Sequence, residues 1–493
     1  MQEPSIILDV LKTRSKNDIF FSNVYHILYN KKLYIDAFNE LSNLDFKFTK
    51  VNSIETYNDI YDKRIDDIIY KLKTNSYKWN DSNFTFTSFK SLSVDNWKDY
   101  LLQRVLSKIL VSIYSNKFIN ISYTYDNALK RIYDKSQACE YFIRFDIKDI
   151  NAKLDINKLL DILKDNKIYD SRLFKLLKNM LKFKHINYDR YNSKELYIKE
   201  VYDSISFTLI NIYLNELDKF INNTLLTQYN VEDKRPFSKR YKTIKMKLDY
   251  TNRLYKLDKS NATLYNKLKT LKKELLTIKS KEDIDKCSYR RLSYSRFIDS
   301  YILSFTGTYE EYHNIIKSIK AYTLSYINLD IDNISIHKAD SKYKPATFLN
   351  YNIMTQWNNN KIKNEQRAIT WQVAFFISNK IVSYYKATYS NAIYNIINYS
   401  DDNIIRYFQY KLIEVTDYFK YNRNLKLLSH INWILQSSLL KTLALKYKST
   451  VKKIAKKYKS TIRINDKDYI VFKSLTDKNI YYGGIPMKIS KFH

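Results

Sequence analysis

The sequence RRLSYSRFIDSYIL, residues 290–303, predicts a β-hairpin at the centre of the fold. The two halves of the hairpin, Tyr294–Ile298 and Tyr301–Phe305, are rich in aromatic and β-branched residues, which suit a pleated, half-buried surface. The polar pair Asp299-Ser300 lies between them and is predicted to form the turn. Taken alone, the pattern fits equally an ordinary hairpin in which Asp299 is only a turn residue.

Helices and a further strand are predicted around this hairpin. The sequence Thr306-Gly307-Thr308 ends the second half, and Thr308 with Glu311 gives the pattern of a capping box for a helix over 310–322. A strand is predicted over residues 141–147, where strict alternation puts Asp146 on the face opposite to Phe145. Together these patterns predict an antiparallel sheet combined with helices, which is an α+β fold.

The composition indicates a polyanionic partner. Among 493 residues, Lys and Arg number 84 and Asp and Glu number 51, so the formal net charge is +33. Such a charge favours binding to nucleic acid. Abundant Lys, Asn, Ile and Tyr with only 3 Gly and 4 Pro are typical of an A+T-rich genome, which explains part of the lysine excess. Codon usage does not explain why the charge is clustered, so nucleic acid is the better interpretation.

Several other classes of protein are not indicated. No apolar run of about 18 residues is present, so no transmembrane helix is predicted. Residues 1–19 contain no pattern of a secretory or transit peptide. The two cysteines, Cys139 and Cys287, and the six scattered histidines form neither a disulfide framework nor a zinc-binding pattern.

The most strongly basic segment follows Tyr418, because no Asp or Glu occurs between Tyr418 and Asn465. If a single helix runs through it, four lysines return to within roughly 20° of one line at 3.6 residues per turn. These are Lys441, Lys448, Lys452 and Lys459. The sequence KYKST at 446–450 is repeated at 457–461. A cationic stripe with tyrosines and hydroxyls between its lysines suits phosphate contacts and stacking on unpaired bases, although a solvated basic face is the simpler interpretation.

Four stretches together resemble group II intron reverse transcriptases and maturases. The hairpin with Phe297-Ile298-Asp299-Ser300 resembles the family's Tyr-Ala-Asp-Asp turn, and the sequence FDIKD at 145–149 resembles its first catalytic motif. The stretch 211–220, NIYLNELDKF, closely resembles the family's sequence for one palm helix. The stretch 438–450 closely resembles the core of maturase domain X, the family's thumb-like RNA-binding module.

The family's metal-binding residues are only partly present. The resemblance implies that Asp146 and Asp299 stand where metal-binding carboxylates stand, but Ser300 replaces the second Asp of the turn. Serine is not an anionic ligand for Mg²⁺, a hard cation that prefers carboxylate oxygen. The loop before residue 211 (YDSIS, 202–206) also lacks the family's Pro and Gly. Asp146, Asp299 and Ser300 are therefore interpreted as vestigial, and no metal or other cofactor is expected, with Mg²⁺ required only if polymerase activity survives.

The resemblance implies a domain order. Residues 1–100 are expected to be an N-terminal extension with fingers-like structure, and 101–338 a palm-like reverse transcriptase domain. That domain includes a lysine-rich, largely helical insertion at 235–286, interpreted equally well as a solvated arm or as an RNA-facing arm. Residues 346–465 are expected to form a helical thumb or domain X, and 466–493 a tail without the family's endonuclease domain.

The function implied is that of an intron maturase that binds intron or precursor RNA and assists splicing of group II-type (or group III) introns. Its expected RNA-binding residues are Lys441, Lys446, Lys448, Lys452, Lys453, Lys456, Lys457, Lys459 and Arg463. No membrane and no small-molecule substrate is expected. An active RNA-directed DNA polymerase with an unusual metal site and a general basic RNA-binding protein remain alternatives. The composition and the resemblance suggest an organelle-encoded protein, with a plastid preferred to a mitochondrion.

Overall fold

The computed structural model of the protein describes residues 2–42, 57–79, 97–119, 125–147, 150–182, 205–278, 280–357, 371–464, 467–477 and 479–485. The predictions that concern Lys148, Asp149, loop residues 202–204 and residues 486–493 of the tail lie outside these ranges. In the part of the chain that is described, no helix is both long and apolar enough to cross a bilayer.

The N-terminal part is helical and packs around one central helix. Its helices are α1 (Pro4–Lys16), α2 (Val24–Ile27), α3 (Lys31–Ser42), α4 (Tyr57–Lys73), α5 (Trp97–Tyr114) and α6 (Tyr125–Lys135). Almost every residue from 101 to 110 is buried, including apolar residues on all sides of α5. Because a helix that is apolar all round belongs inside a core, α1, α3 and α4 pack around α5.

The next segment combines helices with the predicted strands. Strand β1 (Tyr141–Ile147) is followed by α7 (Ile150–Lys153), α8 (Ile156–Asp165), α9 (Ser171–Lys182), α10 (Ile205–Phe220) and α11 (Leu226–Tyr229). After these come α12 (Lys239–Leu257), α13 (Ala262–Thr277), β2 (Arg291–Phe297), β3 (Ser300–Thr306), α14 (Tyr309–Tyr322) and β4 (Ile331–Lys338). The four strands form one antiparallel sheet in the order β2-β3-β1-β4.

The predicted hairpin is confirmed, and its turn lies one residue earlier than expected. Ser300 already pairs with Phe297, so the turn is Ile298-Asp299. The backbone of Ile298 takes a φ of 55°, a left-handed conformation that is unusual for a β-branched residue. The predicted capping box is also present, since the Thr308 amide donates to a carboxylate oxygen of Glu311 at 2.7 Å.

The lysine-rich insertion is a helical arm, as predicted. Helices α12 and α13 pack chiefly against each other, and their lysines are mostly exposed. The two ends of the arm meet at a narrow neck, where the Ser238 amide donates to the Ser280 carbonyl at 3.1 Å. Beside that bond, Phe237 pairs with Lys281, whose ammonium group lies 4.1 Å from the Phe237 ring centroid.

The C-terminal part is less helical than predicted. It begins with the antiparallel strands β5 (Ala346–Phe348), β6 (Tyr351–Trp357) and β7 (Trp371–Ile377), where the period-2 alternation of large apolar residues outweighs the helical pattern. Helices α15 (Asn379–Tyr389), α16 (Asp401–Tyr418), α17 (Leu425–Lys446) and α18 (Val451–Tyr458) follow. The chain then forms β8 (Lys459–Ile464), β9 (Lys467–Lys473) and β10 (Tyr481–Gly483). Strands β8 and β9 pair with each other from either side of the predicted boundary between domain X and the tail.

Candidate functional site

The structure brings the three vestigial residues together at one end of the central sheet. Asp146 on β1 lies directly across from Ser300 on β3, and the Ile147 amide donates to the Asp299 carbonyl at 2.9 Å. The side chains of Asp146 and Asp299 are both buried. Adjacent pairing of β1 and β3 thus puts these three residues at the same place in the sheet.

The surroundings of Asp146 are a poor fit for a pair of divalent cations. Asp146 Oδ2 accepts hydrogen bonds from Arg144 Nη2 at 3.1 Å and from Asn333 Nδ2 at 3.4 Å, so a guanidinium already neutralises this carboxylate. Asp146 Oδ1 is buried without a hydrogen-bond partner, which leaves room for one further contact. Within the described ranges, no group of three or more His, Cys, Asp or Glu side chains could hold a metal ion. Two-metal phosphoryl transfer needs carboxylates shared between two ions about 4 Å apart.

A buried ion pair below the hairpin fixes its position. Arg296 on β2 lies 2.7 Å from Asp218 on α10, and both side chains are almost fully buried. Arg296 Nη1 also donates to Asn211 Oδ1 at 2.6 Å and to the Ile298 carbonyl at 3.0 Å. Burial lowers the pKa of Arg296, but the adjacent Asp218 carboxylate outweighs that effect, so this pKa is raised above its usual value. The contacts of Arg296 thus explain how Asn211 and Asp218 can be buried in α10.

The basic segment is not a single helix, so the condition for the lysine stripe is not met. Helix α17 ends at Lys446, and α18 begins at Val451. Lys448 is left-handed, with a φ of 45°, and the Ser449 amide donates to the Ala444 carbonyl at 2.9 Å, which closes α17 with a Schellman motif. Thr450 then caps α18 by accepting from the Lys453 amide at 3.4 Å. The four lysines of the predicted stripe therefore lie on α17, on the turn, on α18 and on β8.

Side chains from both copies of the KYKST sequence donate hydrogen bonds to one carboxylate. Asp401, at the start of α16, accepts hydrogen bonds from Lys446 Nζ at 2.7 Å and from the Tyr447 hydroxyl at 2.7 Å. The hydroxyl of Tyr458 in the second copy donates to the same carboxylate. Burial raises the pKa of Asp401, but the hydrogen bonds from Lys446 and the two tyrosines outweigh it, so this pKa lies below its usual value. Lys446 is thus held by Asp401, and both copies of the repeat mark the end of a helix.

Most of the other predicted RNA-binding residues face solvent on α18 and β8. On α18, Ile454 and Tyr458 are buried, whereas all four of its lysines are exposed. On β8, alternate residues are exposed, and these include two basic ones. The exposed members of the predicted set are Lys448, Lys452, Lys453, Lys456, Lys457, Lys459 and Arg463. We refer to this set as the basic surface.

Lys441 lies beside this surface and is partly buried. Its Nζ donates to the Ser390 carbonyl at 2.6 Å, which holds it against the loop before α16. Sequence reasoning missed Asp401, because its partners are 45 to 57 residues away along the chain. The helix break was open to prediction, since Ser449-Thr450 before an apolar residue is an N-cap signal.

Comparisons with known proteins find sequence relatives of this chain. Residues 369–483 match the family model for the type II intron maturase, and the match includes α16 to α18 and the last sheet. Over 486 residues the chain is 24% identical to the group II intron-encoded protein LtrA of Lactococcus lactis, a match that covers 92% of this chain and 79% of that protein.

Two fungal proteins are also similar. The chain is 25% identical over 362 residues to an uncharacterized 91 kDa protein in the cob intron of Schizosaccharomyces pombe, which covers 70% of this chain and 43% of that protein. It is 21% identical over 361 residues to a COX1/OXI3 intron 2 protein of Saccharomyces cerevisiae, of which it covers 40%. The chain thus spans less than half of each fungal relative.

These relatives define a class of intron-encoded proteins. The chain resembles that class in sequence, and its structure combines helices with antiparallel sheets. Residues 369–483 thus match a type II intron maturase domain, and the chain as a whole is similar to group II intron-encoded and other intron-encoded proteins.

Proposed function

We propose that the protein is an intron maturase that binds precursor RNA and assists splicing of group II-type (or group III) introns in an organelle. The observation that carries this proposal is the basic surface, which lies within the segment matched by the maturase family model. Phosphate contacts from exposed lysines supply sequence-independent affinity, and affinity for the native RNA shifts its folding equilibrium. No protein acid, base or nucleophile is needed for that role.

In this proposal the central sheet is a reverse transcriptase palm that no longer polymerises, and residues 346–465 are the RNA-binding thumb or domain X. Ser300 in place of a carboxylate and the Arg144 contact to Asp146 support the loss of polymerase activity. The A+T-rich composition supports an organellar genome. Of the two organelles, we prefer a plastid to a mitochondrion.

The test compares two variants of equal charge. In the first, Lys452, Lys453, Lys456 and Lys457 on α18 are changed to Gln. In the second, four exposed lysines of the arm are changed to Gln, namely Lys242, Lys245, Lys247 and Lys256. If each α18 lysine contacts a phosphate, the slope of log affinity against log salt falls by roughly 0.7 per contact, or about 3 in total.

The expected result is that the α18 variant loses support of splicing of its precursor RNA while the arm variant keeps most of it. Melting temperature and circular dichroism verify that both variants are folded. Equal losses in the two variants would instead favour a general basic RNA-binding protein.

The second candidate is an active RNA-directed DNA polymerase. It is favoured by the proximity of Asp146 to the Asp299-Ser300 pair and by the free Oδ1 of Asp146. Primer extension on an RNA template with Mg²⁺ or Mn²⁺ tests it. Templated DNA synthesis that Asp299→Ala abolishes would establish the polymerase, whereas the maturase proposal expects none.

A further inference from the structure

The solvent-facing side of α17 carries aromatic and basic side chains. At 3.6 residues per turn, His430, Ser437 and Lys441 lie within roughly 20° of one line, and Trp433 lies about 60° to one side. The Trp433 side chain is 60% exposed. Its ring stacks on that of His430 with centroids 5.8 Å apart and an angle of 13° between planes. A large indole that packs against an imidazole but not into the core is a flat surface open to a further ring.

An open groove lies at the other end of the same helix. It runs between the loop before α16 and the end of α17, and Tyr394 in this groove is 73% exposed. The residues that line the groove include Tyr394, Lys441 and Lys448. The bond from Lys441 to the Ser390 carbonyl holds that lysine in the wall of the groove.

Lys448 supports a binding role for this groove. Left-handed positions that close a helix usually carry Gly, since a side chain there costs about 1 kcal/mol or more. Lys448 occupies such a position and presents an exposed ammonium group to the groove. Backbone strain of this kind concentrates at functional sites.

We propose that this face of α17 binds an unpaired stretch of RNA, with one base stacked on Trp433 and another lodged against Tyr394. The phosphates of the strand then lie beside Lys441 and Lys448. Single-stranded RNA fits better than a protein partner, because the two exposed aromatic rings are separated and cationic side chains lie between them. The lining of the groove includes two lysines and no acidic residue, and no Asp or Glu occurs between 419 and 464 on the α17 side. Flat rings among cations match bases and phosphates, and stacking on aromatic side chains is the common mode for unpaired bases. The proposal rests on the proposed function, which supplies RNA as the partner.

The experiment measures binding of the full chain to a fluorescent 12-nucleotide RNA, either single-stranded or annealed to its complement. Trp433→Ala and Tyr394→Ala are each expected to weaken single-strand binding about tenfold and to leave duplex binding unchanged. Trp433→Phe, which keeps an aromatic ring, is expected to retain most of the affinity. The matched control is Tyr70→Ala on α4, which removes a ring that is 66% exposed and remote in sequence.

Melting temperatures separate loss of binding from loss of folding. Single-strand binding by Trp433→Ala and Tyr394→Ala at the level of the unchanged protein would overturn the proposal. Equal weakening of single-strand and duplex binding would also overturn it, because stacking discriminates between the two. If the protein without substitutions binds neither RNA, the proposed function fails. If it binds RNA and the two alanine variants bind single strands equally well, only this inference fails.

Discussion

Removing the buried Arg296 should destabilise the protein more than removing both members of its ion pair. Arg296→Met leaves the Asp218 carboxylate buried and uncompensated, which costs about 3–5 kcal/mol. In Arg296→Met/Asp218→Leu the buried charge is gone, and replacing such a pair by apolar groups is often neutral. The acceptors on Asn211 and Ile298 still lose their donor, at about 1 kcal/mol each or somewhat more. The double variant should therefore recover about 2 kcal/mol relative to Arg296→Met.

Urea unfolding followed by circular dichroism measures this difference on the unchanged protein, both single variants and the double variant. The free energy of unfolding is compared only where the slopes with urea agree, since a changed slope signals loss of two-state behaviour. A loss below about 1 kcal/mol for Arg296→Met would refute the argument from an uncompensated charge. Additive effects in the double variant would refute the coupling between Arg296 and Asp218.

Three further predictions concern single residues. Lys448→Gly should leave the free energy of unfolding unchanged or raise it by up to about 1 kcal/mol, because glycine relieves the left-handed strain. RNA affinity should fall. The control is Lys167→Gly, which removes the same charge at another left-handed position, with a φ of 66°. Asp401→Asn should lower stability by about 2 kcal/mol near neutral pH. Folding lowers the pKa of Asp401, so its contribution to stability is complete above the ordinary carboxyl pKa of about 3.9. The contribution is lost as pH falls through the lowered pKa of the folded protein. The unfolding curves of the protein and of the variant should therefore converge in acid. Asp299→Asn should leave splicing in cells nearly unchanged, and failure with a folded protein would mean that a metal is still used.

The central sheet was open to prediction because local and periodic signals coincide there. The hairpin around Asp299 and the strand with Asp146 each carry their pattern within a few residues, and both are present as expected. The turn was misplaced by one residue because the left-handed conformation falls on Ile298, a residue type that normally avoids it.

The basic segment was harder to predict because its organisation depends on distant partners. The spacing of the lysines was compatible with one continuous helix. The spacing of exposed charges, however, does not determine whether the helix continues or ends. The break at Lys448 follows from two capping arrangements, and the direction of α18 is fixed by Asp401, which precedes it by 50 residues. The repeated KYKST sequence suggested RNA contacts for both tyrosines, whereas the hydroxyls of Tyr447 and Tyr458 donate to that carboxylate.

The narrow neck of the lysine-rich arm indicates that insertions and deletions within the arm can be tolerated. The chain leaves the body of the protein and returns to it at adjacent points, Ser238 and Ser280, so a short turn can close the gap without displacing any strand of the central sheet. Insertions and deletions within the arm therefore behave as changes in a surface loop, whose closure entropy varies only slowly with length. A change in the length of the arm is therefore expected to leave the central sheet in place.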